Sequence, residues 1–127
     1  MNGTHPYYEV VEDLKSIYLE DSFVLGIHEG DDSLFFDLDA VLTDEHPLYR
    51  PPPEDLRYCY RTARLVFSGD IRVTWVERNL EARNFDGMGN VDLGEIDGFE
   101  CGPDGYYLDG EWGAVKVACR DVNLVFR

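Results

Sequence analysis

The stretch from Tyr58 to Arg78 constrains the fold most, because apolar and polar side chains alternate along it on both sides of Ser68-Gly69-Asp70. A three-residue turn there makes one face of a hairpin entirely apolar, with Phe67 opposite Ile71, Leu65 opposite Val73 and Ala63 opposite Trp75. A two-residue turn at Gly69-Asp70 would instead bury arginines. We therefore predict a hairpin with the longer turn, whose opposite face carries Arg61, Arg64 and Arg72.

Two other regions alternate in the same way. In the first, a two-residue turn at Gly30-Asp31 pairs Ile27 with Leu34, Leu25 with Phe36 and Phe23 with Leu38. In the second, from Ile96 onward, successive turns begin at Gly102, Gly110 and Arg120. They predict the pairs Cys101–Tyr106, Phe99–Leu108, Leu108–Val115, Tyr106–Val117, Val117–Leu124 and Val115–Phe126.

The N-terminal segment Thr4 to Tyr18 has helical periodicity, and Thr4 can cap such a helix. Its apolar stripe comprises Tyr7, Val10, Val11, Leu14, Ile17 and Tyr18. The fold class we predict is α+β, mainly β, as one domain over residues 1–127. It would be a curved antiparallel meander or partial barrel of about eight strands, with one N-terminal amphipathic helix packed on it.

Two segments are predicted to be loops. Thr43 to Asp55 contains His46-Pro47 and Pro51-Pro52-Pro53, which cannot supply the amide donors of a central strand. Its length makes it a candidate functional or flexible loop, and the three prolines are more typical of a stiff spacer than of an adaptor ligand. Asn79 to Gly94 is rich in Gly, Asn and Asp.

Acidity dominates the composition, with a formal net charge of −15. Residues 1–45 hold 12 acidic and one basic side chain, whereas residues 46–84 carry a small positive excess. Such a field repels nucleic acid and anionic membranes and attracts cationic partners, although acidity that serves only solubility or a salt-adapted host is an equally good interpretation. The start of the chain lacks the features of a signal peptide and no apolar run approaches the ~20 residues of a membrane span, so we expect a cytoplasmic protein.

Signatures of catalysis are weak. No serine lies in a GxSxG elbow, the histidines lack metal-ligand spacing, and Gly87-Met88-Gly89 lacks the following Lys-Ser/Thr of a phosphate loop. The loop from Asp86 to Glu95 fails the calcium pattern because Met88 takes the third ligand position. A looser site of Asp86, Asn90 and Asp92 is a weaker interpretation than a metal-free turn, and we predict no cofactor.

Several cysteine, aspartate and tryptophan residues need separate interpretation. Cys59, Cys101 and Cys119 contain no CxxC pair and are predicted to be small buried residues in a reducing compartment. Asp37 and Asp39 share a strand face ~7 Å apart, either as a carboxylate pair or as a solvated acidic stripe. Trp112, at the tip of a hairpin, either folds back over the sheet or anchors a partner. Trp75 is predicted to lie in the core.

Three segments carry a family resemblance: Glu20 to Ile27, Arg64 to Asp70 and Tyr107 to Gly113. In their order after an N-terminal helix, the chain resembles small β-rich bacterial families, some of which are immunity proteins of polymorphic toxin systems. The likeness spans most of the chain and rests on hydrophobic pattern and turns, so no functional residue is carried across. It implies a cytosolic acidic domain that blocks a toxin by stoichiometric binding.

The first hypothesis is a non-enzymatic module that binds a basic protein partner, and binds neither nucleic acid nor membrane. Its predicted partner-binding residues are Glu9, Glu12, Asp13, Asp31, Asp32, Asp37, Asp39 and Trp112. The alternatives are a small barrel that holds an apolar ligand between sheet and helix and, less favoured, a divalent-metal-dependent hydrolase.

Overall fold

A computed structural model of the protein describes residues 5–54, 56–78, 84–85 and 91–127, with backbone only for 84–85 and 91–92. The described chain is mainly β. Its helical parts are a single turn α1 (Tyr7–Val10) and a 3₁₀ turn (Glu12–Leu14). The strands are β1 (His5–Pro6), β2 (Ile17–Glu29), β3 (Ser33–Leu42), β4 (Cys59–Ser68), β5 (Arg72–Arg78), β6 (Asn84–Phe85), β7 (Val91–Asp92), β8 (Gly98–Gly102), β9 (Gly105–Gly110), β10 (Gly113–Ala118) and β11 (Asp121–Phe126).

The strands form two antiparallel sheets that enclose one core. One sheet has four strands in the order β11-β4-β3-β2, and the other has five in the order β1-β8-β9-β10-β5. Strands β6 and β7 pair separately as a short hairpin within the predicted Asn79–Gly94 loop. The prediction of a mainly β antiparallel fold is confirmed. The described strands make two separate sheets instead of a closed barrel, and α+β overstates the helical content.

The predicted central hairpin is wrong in its pairing. Strands β4 and β5 belong to different sheets, where β4 pairs with β3 and β11 while β5 pairs with β10. Gly69 and Asp70 have φ values of 89° and 48° and lie where the chain crosses between sheets. The apolar faces of β4 and β5 therefore both point into the core from opposite layers, and the same alternating pattern fits both arrangements.

The chain also crosses between the sheets between β10 and β11, so the predicted pairs Val117–Leu124 and Val115–Phe126 are wrong as well. The β4-β5 and β10-β11 crossings contact each other. Arg120 donates its amide to the Gly69 carbonyl (2.9 Å) and its guanidinium pairs with Asp70. This contact fixes where both chain segments leave one sheet for the other.

The β8-β9-β10 meander has the predicted register, including Phe99 opposite Leu108 and Tyr106 opposite Val117. The β2-β3 hairpin also exists, but its turn lies one residue later, because Gly30 donates its amide to the Ser33 carbonyl. Next to the turn the register therefore moves by two residues, which places Ile27 opposite Phe36 and keeps the predicted inward face of β3.

Irregularities in β2 change which of its side chains are buried. One lies between Tyr18 and Phe23 and another between Val24 and Gly26. As a result Val24 is fully buried, whereas Leu25, predicted to face inward, is 44% exposed. A bulge adds a residue on one strand only, so it reverses the inward and outward alternation that follows it.

The predicted helix Thr4–Tyr18 is much shorter in the structure, and its proposed cap Thr4 lies outside the described residues. Ile17 and Tyr18 instead begin β2 and pair with β3. The hydroxyl of Tyr7 lies near the Ile17 carbonyl (3.0 Å) and accepts the Leu19 amide (2.9 Å), which folds the N-terminal turn back onto that strand. Most of the predicted stripe is still buried, since a single helical turn and a strand can cover the same core side.

Other predicted placements have mixed outcomes. Residues 43–54 contain no strand or helix, as predicted, and no helix of the described chain is long and apolar enough to cross a membrane. Arg61, Arg64 and Arg72 do not share a face: Arg61 lies in the row of Ala63, Arg64 points to the opposite side, and Arg72 is in the other sheet. Trp75 packs against the core only in part, and its indole donates a hydrogen bond to Glu29.

Candidate functional site

Five of the predicted acidic residues divide between two parts of the chain, the N-terminal turns and the β2-β3 turn. Glu9 is exposed on α1, and Glu12 is exposed on the 3₁₀ turn. Asp13, beside Glu12, accepts a hydrogen bond from a backbone amide of β11 (3.0 Å). Asp31 and Asp32 are exposed at the β2-β3 turn, where Asp32 accepts a hydrogen bond from the backbone amide of Ile71, in the β4-β5 connection (3.1 Å). The predicted acidic surface is therefore divided between separate parts of the molecule.

Asp37 lies on the outer face, by which we mean the side of the four-stranded sheet that points away from the core. Its carboxylate is 2.8 Å from Arg64 Nε, 3.3 Å from His28 Nε2 and 3.4 Å from the Arg127 guanidinium. The Arg64 guanidinium also lies 4.1 Å from the ring centroid of Phe35, which packs on His28. Asp37 is thus already matched by cations of its own chain and stabilises the sheet surface.

Four aromatic rings cover the other end of the outer face. The ring centroids are 6.1 Å apart for Phe23 and Tyr60, 6.1 Å for Tyr58 and Tyr60, and 6.5 Å for Tyr18 and Tyr58. Val41 points to this face and pairs with Tyr18 on one neighbouring strand and with Tyr60 on the other, yet it is only 2% exposed. The rings therefore shield the sheet here. Tyr18 is exposed, Phe23, Tyr58 and Tyr60 are half-buried, and the Arg57 guanidinium lies 5.4 Å from the centroid of the Tyr58 ring.

Asp39 lies within this aromatic group, opposite Phe23 on one neighbouring strand and Thr62 on the other. Burial raises the pKa of the Asp39 carboxyl above its ordinary value. The pKa of Tyr60 is also raised, first by burial and then by the negative charges of Asp39, Asp21 and Glu95. Asp39 makes no ion pair with a described lysine, arginine or histidine, so its charge lacks a cation from that part of the chain.

Asp21 and Glu95 extend the acidic group toward the edge of the sheet. The Tyr58 hydroxyl donates to Asp21 Oδ2 (2.7 Å). The segment around Glu95 lies along β2, because Phe23 bridges to Glu95 and the Val24 amide donates to the Gly94 carbonyl (2.8 Å). The pKa of Glu95 is raised mainly by burial, with further contributions from Asp21 and Asp97.

We call this group the acidic-aromatic patch, and its members are Tyr18, Asp21, Phe23, Asp39, Tyr58, Tyr60 and Glu95. Only Asp39 among them was predicted from the sequence as a binding residue. Tyr58 and Tyr60 alternate with the inward residues of β4, and this alternation was the available signal for an outward-facing aromatic pair. Glu95 could not be linked to Asp21 from sequence spacing, because a long-range bridge brings them together.

Trp112 is fully buried, so the structure favours folding back over the partner-anchoring role predicted for it. Its indole donates to the Glu95 carbonyl (3.1 Å) and packs edge-on against Phe36, with ring centroids 5.2 Å apart. Gly110 makes this position possible, since a Cβ there would collide with the indole and with the Glu95 carbonyl. Trp112 therefore supports the patch from inside and presents no surface to a partner.

The cysteines and two of the histidines show no catalytic arrangement among the described residues. The three cysteines are free thiols, and burial raises the pKa of Cys101 to about 11. His28 contacts Asp37 and Phe35, while Nδ1 of His46 accepts a hydrogen bond from the backbone amide of Leu48 (3.0 Å). None of these contacts joins a histidine to a nucleophile.

Neither alternative function finds a formed site in the described chain. Among the described residues, no group of three or more His, Cys, Asp and Glu side chains is placed to hold a metal ion. The side chains of Asp86 and Asn90 lie outside those residues, and only the backbone of Asp92 is described. The apolar ligand was predicted to lie between sheet and helix, but the described helix α1 is a single turn, and large side chains such as Phe36, Phe67 and Trp112 are fully buried between the two sheets.

Comparison of the chain with protein-family models, with curated proteins and with solved structures gave no match.

Proposed function

We propose that this protein is a non-enzymatic binding module that recognises a basic protein partner through the acidic-aromatic patch. The observation that carries the proposal is a partly exposed aromatic group on a sheet face, set among carboxyls that form no ion pair with a described side chain. Aromatic side chains are enriched at protein interfaces because they supply large contact area at low conformational cost. The negative charge of the carboxyls beside these rings favours a basic partner.

Charge supports a cationic partner. The net charge of −15 attracts basic proteins over about one Debye length, ~8 Å at physiological salt. Within the patch, burial raises the pKa values of the Asp39 and Glu95 carboxyls, and the negative charges of Asp21 and Asp97 raise that of Glu95 further. A partner's cation would stabilise the charged form of both carboxyls. The resemblance to immunity proteins adds a specific candidate, a basic toxin held in a stoichiometric complex.

Affinity capture from the native host with stepped salt tests this function. We expect the protein to retain a basic protein at low salt and to release it at high salt, because exposed charge pairs are screened. The double variant Asp21→Asn/Asp39→Asn should lose that protein, whereas Asp104→Asn, an exposed acid in the β8-β9 turn, should keep it. Capture that is indifferent to both salt and the double variant, or no basic protein at all, would overturn the proposal.

The immunity hypothesis has its own test. If an adjacent reading frame encodes a toxin, co-expression with this protein should restore growth, and the double variant should restore it less. Growth that is restored equally by both proteins would contradict recognition through the patch.

A further inference from the structure

The acidic-aromatic patch continues around the edge of the sheet into an open groove. This groove, with a volume of about 300 Å³, lies between the N-terminal turn and β8. Its lining includes the carboxylates Glu20, Asp97 and Glu100 and the ring of Tyr8, which is 49% exposed. His5 is the only potentially cationic side chain among the described residues that line it.

Two chain connections join the patch to the groove. Glu20 lines the groove and is followed directly by Asp21 of the patch. Glu95 of the patch is two residues before Asp97 of the groove. The pKa values of both carboxyls are raised, mainly by burial and secondly by the negative charges of neighbouring acids. The negative charge is therefore continuous from one place to the other, with aromatic rings at both ends.

We infer that the patch and the groove together bind one extended segment of a partner, with one basic side chain at Asp39 and a second one at Asp97. This inference rests on the proposed function and specifies the element that is recognised. At the patch, Phe23 and Tyr60 would contact the flat face of a guanidinium while Asp39 pairs with its charge, so arginine fits better there than lysine. At the groove, Tyr8 would have the same role beside three carboxylates.

The spacing of the two basic side chains follows from the sheet. Phe23 pairs with both Asp39 and Glu95, so these two residues are separated by two strand spacings. Glu95 and Asp97 are separated by at most the rise of two residues along the chain. The strand spacings amount to ~10 Å across the strands and the rise to ~7 Å along them. Because these directions are perpendicular, Asp39 and Asp97 are about 12 Å apart. An extended chain covers that distance in about four residues, so the basic side chains should lie at positions i and i+4.

Short synthetic peptides test this spacing directly. The probes are an acetylated Arg-Gly-Ser-Gly-Arg amide, a version with adjacent arginines, a version with two lysines at the same spacing, and a version with one arginine replaced by glutamine. Chemical-shift titration of the ¹⁵N-labelled protein measures weak binding and reports which amides respond. We expect shifts along both the patch and the groove, and about fivefold tighter binding of the spaced arginine peptide than of any other.

Variants separate the two ends. Asp39→Asn should remove the response of the patch and Asp97→Asn that of the groove, and each should reduce binding to the level of the single-arginine peptide. Asp104→Asn should have no effect. Equal binding of the spaced and adjacent peptides, or shifts at one end only, would overturn the two-point inference. If a basic protein captured from the host is lost with Asp21→Asn/Asp39→Asn but kept by Asp97→Asn, the proposed function stands and this inference fails.

Discussion

Replacement of Trp112 by alanine tests whether this residue is a core element of the fold. The side chain is fully buried, packs against Phe36 and Trp75, and donates a hydrogen bond to the Glu95 carbonyl (3.1 Å). Truncation of a buried aromatic residue to alanine typically costs ~3–5 kcal/mol, because packing is lost and a cavity remains. The orphaned carbonyl contributes to that loss. We expect a decrease of about 4 kcal/mol in the free energy of unfolding.

A loss of this size is a large part of the ~5–15 kcal/mol that stabilises a typical domain. Urea denaturation should be followed by circular dichroism, because the mutation also removes one of the two tryptophan fluorophores. The variant Trp112→Phe keeps a ring against Phe36 but loses the donor, so it should cost only about 1–2 kcal/mol. Val76→Ala, at a side chain that is 58% exposed, should change stability by less than ~0.5 kcal/mol.

The ranking of the variants is as informative as their size. If Trp112→Ala loses less than about 1 kcal/mol, or no more than Val76→Ala, the indole is not packed as the structure shows. The partner-anchoring interpretation of Trp112 would then be open again.

Three further predictions concern stability. Ser22→Ala removes a buried hydroxyl that accepts the Val41 amide (2.9 Å) and donates to a carbonyl of its own strand, and we expect a loss of ~1–3 kcal/mol in urea denaturation. Gly69→Ala places a Cβ 2.9 Å from that of Arg120 at a positive φ, so the melting temperature should fall by several degrees. Because the folded-state pKa of Asp39 is raised, the folded state binds more protons than the unfolded state between the two pKa values, and stability should increase as the pH falls from 7 through that window.

Each of these predictions has a distinguishing control. Ser33→Ala, at a half-buried serine near the β2-β3 turn, should cost less than Ser22→Ala. Asp104→Ala, at the exposed β8-β9 turn, should cost less than Gly69→Ala. Asp39→Asn removes the titrating group, so it should reduce the gain in stability on acidification, and an unchanged pH profile in that variant would contradict the role given to Asp39.

The sequence determined which strand faces point into the core better than it determined how the strands are connected into sheets. Alternating side chains and glycine-containing turns gave the β8-β9-β10 meander with its register, and they indicated which faces of β3, β4 and β5 are apolar. These features are local, since side-chain direction reverses at every residue of a strand and a turn fixes the pairing of its two neighbours.

Tertiary structure alone decided where the chain changes sheets and where the candidate site lies. An apolar strand face is satisfied equally by a hairpin partner and by an opposing sheet, so the pattern around Gly69 could not show that β4 and β5 part there. The patch depends on the bulges of β2 and on the bridge from Phe23 to Glu95, which join residues more than 70 positions apart. The physical reason is that bulges and long-range bridges carry no periodic signal, yet they set which side chains meet on the outer face.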